Sequence, residues 1–178
     1  MLLMNFPVLD EVLHDHSAQL DRDFTAYRNH CYRVANLCSA LSSCEPDSLE
    51  KIAIAAAFHD LGIWTDGTFD YLQPSIKLAG AHLASSGRAE WTPEITEMIL
   101  EHHKISPYRG DSRSLVEAFR RADWVDISRG LLTFGLSRAL LRQVFTAWPN
   151  AGFHGKLAQL SVQRLRKHPW SPLPMVRL

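Results

Sequence analysis

Apolar residues recur at helical spacing along nearly the whole chain, and no convincing run alternates with the two-residue period of a strand. That pattern points to an all-α fold. It predicts helices over about 8–20, 23–42, 47–61, 75–87, 93–104, 112–127, 136–147 and 153–167. Asp47 stands as an N-cap, Gly62 as a helix stop, and Pro93 as a first-turn residue capped by Thr92. Between helices, GIWTDGTFDYLQP (62–74) reads as an ordered loop and CEPDS as a turn. The proline-rich tail HPWSPLPMVRL reads as extended chain lying over the core. With 178 residues and no repeat, linker or low-complexity segment, one domain over 1–178 is expected.

On an amphipathic helix, residues in register with the apolar stripe point inward. The stripe Ala26, His30, Val34, Leu37, Leu41 carries a histidine on its buried side. In the run AIAAAFHDLG, Ile52 and Ala56 share a face with His59 and Asp60. Ile95, Met98 and Ile99 lead on to His102 and His103, and Leu115, Val116 and Phe119 lead to Asp123. Separate helices thus direct imidazoles and carboxylates toward the interior, where an ionised carboxylate is costly unless paired or metal-bound. A private partner for each, as a core histidine or a helix cap, is one reading, but it must be invoked four times over. A single divalent cation resolves all four together, because neutral imidazole and carboxylate are its natural ligands.

Charge and cysteine content narrow the classes. Lys plus Arg and Asp plus Glu both number 19, so no basic field advertises nucleic acid or a membrane surface. Cys31, Cys38 and Cys44 are an odd count without CxxC spacing, which points to a reducing cytoplasm rather than a disulfide framework. The start MLLMNFPVLDEVLHDH lacks a positively charged leader region, and no stretch approaches the length of a membrane span. A cytoplasmic chain with no nucleic acid and no membrane partner is expected.

YRNHCYRVA, AAFHDLG and FRRADWVD, in that order, resemble the three ligand-bearing helices of the HD-domain superfamily of metal-dependent phosphohydrolases. The resemblance covers about residues 25–130, leaving the last helices and the tail, 131–178, beyond it. It implies a compact helical HD-domain fold and a divalent metal (Mn, Fe, Zn, Mg, Ni or Co) held by His30, His59, Asp60 and Asp123. Relatives with two metals use extra histidines, one about four residues before the glycine of its helix. Here Ile76 occupies that place, and His82 lies two residues after Gly80. One metal is therefore expected, with a second left open, and His82 is read as a core or substrate-side residue or, equally, as a ligand.

The implied reaction is hydrolysis of a phosphomonoester or phosphodiester in a small, nucleotide-like molecule. Asp60 would bind the metal and orient water, while His102 or His103 would protonate the leaving group or hold a phosphate oxygen. In HHKISPYRGDSR, Lys104, Arg109 and Arg113 offer cations to phosphate, although a basic loop is also an ordinary solvated surface. Tyr27, Trp64, Asp66 and Asp70 are further candidates near the site, and His154 sits between glycines at a helix start. Alternatives are a di-iron oxygenase of the same superfamily and a non-catalytic metal-binding HD domain. A homodimer is compatible with all of them.

Overall fold

A computed structural model of the chain describes residues 2–42, 47–111, 114–167 and 170. Cys44, Arg113, most of the CEPDS turn and nearly all of the HPWSPLPMVRL tail lie outside the described residues.

The described residues form an all-α fold without strands. In chain order its helices are α1 (Pro7–Asp15), α2 (Ser17–Leu20), α3 (Phe24–Leu41), α4 (Ser48–Phe58), α5 (Gly62–Thr65) and α6 (Leu72–Ser85). They continue with α7 (Thr92–Glu101), α8 (Val116–Ile127), α9 (Arg138–Ala147) and α10 (Phe153–Lys167). Short 3-10 turns precede α3 and α7.

Helix α3 is the axis of the molecule. From Ala26 to Cys38 only Arg28 escapes burial, and α8 and α4 pack along its flanks. Helix α4 is nearly as enclosed because Ala53, Ala55, Ala56 and Ala57 let its neighbours approach closely. It touches α1, α3, α6 and α7, and α7 in turn packs on α6 and α8. The C-terminal ends of α4 and α7 and the last half of α8 thereby converge on the middle of α3. Cys31 and Cys38 are buried in this core, packing as small apolar residues.

The turns depart from the sequence expectations. The helix expected over 8–20 breaks at His16 into α1 and α2. Thr92 is the first residue of α7 rather than its cap, and Asp47 precedes α4 without a side-chain capping bond. Gly62 does not end a helix; it opens α5, inside the segment read as a loop, and α6 begins at Leu72. The reason is close approach: a Cβ on Gly62 would lie 2.6 Å from the Tyr71 carbonyl oxygen and 2.9 Å from Pro74 Cβ. The Gly62 amide donates to Ser75 Oγ at 3.0 Å, pinning α5 to α6.

Candidate metal centre

His30 lies mid-way along α3, fully buried. His59 and Asp60 occupy the corner where α4 gives way to α5. Tyr27, one turn before His30, holds that corner: its hydroxyl donates to the Ala57 carbonyl at 3.0 Å and accepts the Asp60 amide at 3.3 Å. The side chain flagged as a candidate near the site thus satisfies backbone groups that the end of α4 leaves open. His102 and His103 follow the last turn of α7, and Asp123 faces inward from α8.

These side chains meet. His30 Nε2 and His59 Nε2 are 2.9 Å apart. Asp60 Oδ2 lies 3.6 Å from the first and 3.5 Å from the second. Asp123 Oδ1 lies 3.7 Å and 3.9 Å from the same two nitrogens. On the other side of the carboxylates, His102 Nε2 is 3.3 Å from Asp60 Oδ1, and His103 Nδ1 is 3.3 Å from Asp123 Oδ2. The four expected ligands and the histidine pair therefore form one cluster. Each carboxylate presents one oxygen to each half of it.

The hydrogen bonds fix which nitrogens face the cluster. His59 Nδ1 donates to the Ala56 carbonyl at 2.9 Å, and His102 Nδ1 donates to the Ile99 carbonyl at 2.6 Å. His30 Nδ1 donates to Asp126 Oδ2 at 2.7 Å. A carbonyl or carboxylate only accepts, so each Nδ1 carries hydrogen and each neutral ring keeps an Nε2 lone pair inside the cluster. His103 Nε2 meets the Tyr71 hydroxyl at 2.7 Å, leaving Nδ1 toward Asp123. Metal-binding histidines are oriented in this way by a partner on the far nitrogen. Phe153, the first residue of α10, stacks on the His30 ring with centroids 3.9 Å apart.

Two facing lone pairs at 2.9 Å repel unless a proton or a cation lies with them. Asp60 Oδ1, His102 Nε2 and both Asp123 oxygens are buried without a hydrogen bond. Burial pushes Asp123 up to about 7, with Asp60 and Asp126 opposing the help of His102 and His30. For Asp60, burial works the same way but is outweighed by His59, His102 and His30, which hold it well below the usual carboxylate range. Burial, with His30 and His102 nearby, drives His59 down to about 3, so it stays neutral. Burial would lower His30, but Asp126 and Asp60 outweigh it and raise the ring to about 9, so without a cation a proton on its Nε2 bridges to His59. In place of that proton, imidazole nitrogens and orphaned carboxylates directed at one point fit a divalent cation. His30, His59 and Asp60 form one metal-capable group, and Asp60, His102 and His103 form another.

Other expected residues are placed differently. His82 is not part of the cluster: its half-buried ring packs 5.4 Å from Phe58, in the field of Glu11, Arg88, Asp15 and Glu50. Lys104 pairs with Glu101 at 2.8 Å, and Arg109 is exposed. Trp64 donates to Asp23, Asp66 accepts from Thr65, and Asp70 pairs with Arg164. His154 bonds to Asn150 and, at 3.2 Å, to the backbone carbonyl of Asp126, a structural role at the start of α10.

Three residues escaped the sequence reading. Asp126 takes His30 and also both ends of the fully buried Arg33, whose Nη2 is 2.9 Å from Oδ2. The available signal was spacing: Asp126 lies three residues after Asp123, and Arg33 three after His30, one helical turn each. Tyr71 gave no such signal, since an aromatic in a presumed loop has no register.

The family model described as HD domain matches residues 27–128, more than half of the chain. No curated protein and no solved structure matches it.

Proposed function

Because the chain belongs to the HD domain family, a family of metal-dependent phosphohydrolases, we propose that it hydrolyses a phosphate ester of a small, nucleotide-like molecule. The divalent metal would be held by His30, His59, Asp60 and Asp123. The carrying observation is the 2.9 Å approach of two Nε2 atoms beside carboxylates with orphaned oxygens. Two nitrogens about 2.1 Å from one ion and at right angles would stand about 3 Å apart. When bound, such an ion acidifies a coordinated water and polarises a phosphoryl oxygen.

The chain's own residues do the rest. Asp126 and the carbonyls of Ala56 and Ile99 lock three imidazoles, so no reorganisation is needed when substrate arrives. Asp60 orients the attacking water through its carboxylate. His103 is the cluster member most open to solvent, at 9% exposure, and is placed to meet a phosphate oxygen or the leaving group. Its bond to Tyr71 orients the ring so that Nδ1 faces Asp123. Arg109, exposed on the loop beyond the histidine pair, serves as a second contact for phosphate; Lys104, held by Glu101, contributes its charge at a distance.

A second reading has its own support. Asp60 belongs to both metal-capable groups. In that reading His102 and His103 would hold a second ion, which would supply two-metal hydrolysis or, with two irons, oxygen activation. Elemental analysis of purified protein, with a phosphatase and phosphodiesterase panel in Mn²⁺, tests both. One metal per chain with ester hydrolysis supports the first reading; two metals favour the second, and iron with oxygen consumption favours its oxidative form. The Asp60→Asn variant is expected to fold but to lose metal and turnover. Full metal content in that variant contradicts the assignment.

A further inference from the structure

Behind the metal centre, on the far side of Asp126, lies a separate pocket of about 630 Å³. Its wall includes Arg33, Arg129, Arg138 and Arg142, with His154 and Asn150 at one end. We infer that this pocket is a second ligand site, one that takes an oligophosphate anion, either free or as the tail of a nucleotide.

Among the described residues no carboxylate lines the pocket, although the chain as a whole has a net charge of zero. The concentration of guanidinium groups is therefore local and does not follow from general basicity. Arg33 is already committed: its Nε and Nη2 hold Asp126, and its Nη1 donates to the Trp148 carbonyl at 3.0 Å. The uncompensated charge comes from the other three. Among the described residues Arg129, Arg138 and Arg142 form no ion pair, and Arg138 donates only to the Gly130 carbonyl at 3.2 Å. Like charges gathered around one concavity raise one another's energy, and an anion relieves that repulsion. Guanidinium forks suit phosphate oxygens two at a time.

Backbone conformation agrees. Arg129, just past the end of α8, sits at φ 53°, the left-handed position that a glycine takes at least cost. Gly130 follows at φ 75°. An arginine in that place carries its charge to the pocket rim against a conformational cost that glycine would avoid.

Size and lining identify the class. The volume falls within the range of about 300–1,000 Å³ typical of small-molecule sites, and a lone orthophosphate would fill only a part of it. Leu141, Phe145 and Pro149 supply an apolar wall beside the arginines, and Thr146 adds a hydroxyl. That combination suits a chain of phosphates with room for an organic group. The pocket is separated from the metal cluster by Asp126 and Arg33, so it is a different site from that of the proposed hydrolysis.

Isothermal titration of metal-depleted protein with inorganic tripolyphosphate, and separately with ATP, tests the inference. Binding is expected in wild type. Arg142→Glu is expected to weaken it ten-fold or more, whereas Lys77→Glu, an equal charge reversal on exposed α6, leaves it within two-fold. Asp60→Asn, which alters the metal centre, also leaves it within two-fold. ATP binding more tightly than tripolyphosphate assigns the nucleotide form, and the reverse assigns the inorganic one. Thermal melts confirm that the exposed-site variants fold. No binding of either anion overturns the inference. So does equal loss in Arg142→Glu and Lys77→Glu, or loss in Asp60→Asn with Arg142→Glu unaffected.

Discussion

Asp126 serves two buried donors at once, the His30 Nδ1–H and the Arg33 guanidinium. Burial alone would push its carboxyl up, but those two partners outweigh it and hold Asp126 far below the usual range. Asp126→Asn removes the charge while keeping the shape. Arg33 is then left uncompensated in the core, a loss of about 3–5 kcal/mol. His30 also loses its orienting partner, and metal affinity is expected to fall about 10- to 100-fold. Calorimetric melting and metal titration read the two effects separately. At this scale the sequence was most informative about residues that break an apolar stripe. His30, His59 and Asp60 interrupt runs of alanine, valine and leucine, so their inward direction could be read directly. Asp126 follows Trp124 and Val125 in a helix already assigned its inward aspartate, so it looked like an ordinary polar position. His82 misled for the opposite reason. It shares a stripe with Leu78, yet α6 is only half covered there and the ring turns toward Phe58 and a charged rim.

At the scale of elements, α8 governs the loop that follows the histidine pair. Its Glu117 accepts the Tyr108 amide at 2.9 Å, and Arg120 and Trp124 donate to the Lys104 carbonyl at 2.9 Å and 3.1 Å. Burial tends to raise Glu117, but Arg120, the Tyr108 amide and Arg121 prevail and lower it to about 2. A carboxylate depressed on folding stabilises the protein above its unfolded value, near 4.3, and loses that contribution as pH falls toward the folded one. Wild type is therefore expected to lose stability between about pH 4.5 and pH 2 more steeply than Glu117→Gln. Because Glu117 is partly exposed, the neutral-pH difference should be only about 1 kcal/mol after solvent screening. Urea melts across that pH range check the slope. Gly62 governs the opposite corner. Gly62→Ala forces a methyl group against the Tyr71 carbonyl and Pro74, and is expected to cost about 1–3 kcal/mol. Displacing Tyr71 also releases its hold on His103, so histidine chemical shifts should move with the melting temperature. Helix existence was legible from periodicity. The α4–α5 corner was not, because glycine as a terminator and glycine as a site of close approach look alike in one sequence.

The whole molecule keeps its polar cluster where most proteins keep leucine. His30, His59, Asp60, His102 and Asp123 are each 1% exposed or less. Folding without a cation leaves that charge arrangement unbalanced, so metal should act as a folding ligand as well as a reagent. A metal present at about 100 times its dissociation constant adds about 2.7 kcal/mol. For a chain of this size, about 2–4 °C per kcal/mol places the drop on dialysis against a chelator at several degrees. Scanning calorimetry before and after returning Mn²⁺ measures it; an unchanged midpoint would contradict a metal buried in the core. The all-α architecture was visible before any coordinates, since it depends only on repeat distance. How the C-terminal helices dock was not, because α9 and α10 lie beyond the segment that carries the recognisable motifs.

Phe153 gives that docking a practical meaning. Its ring lies flush on His30, reached through a left-handed turn at Ala151 and Gly152. The family match stops at residue 128, well short of it. A shortened version trimmed to the match boundary would strip the roof from an imidazole that normally never meets bulk solvent. A unit that keeps His30 covered therefore has to reach Phe153 and the helix that carries it.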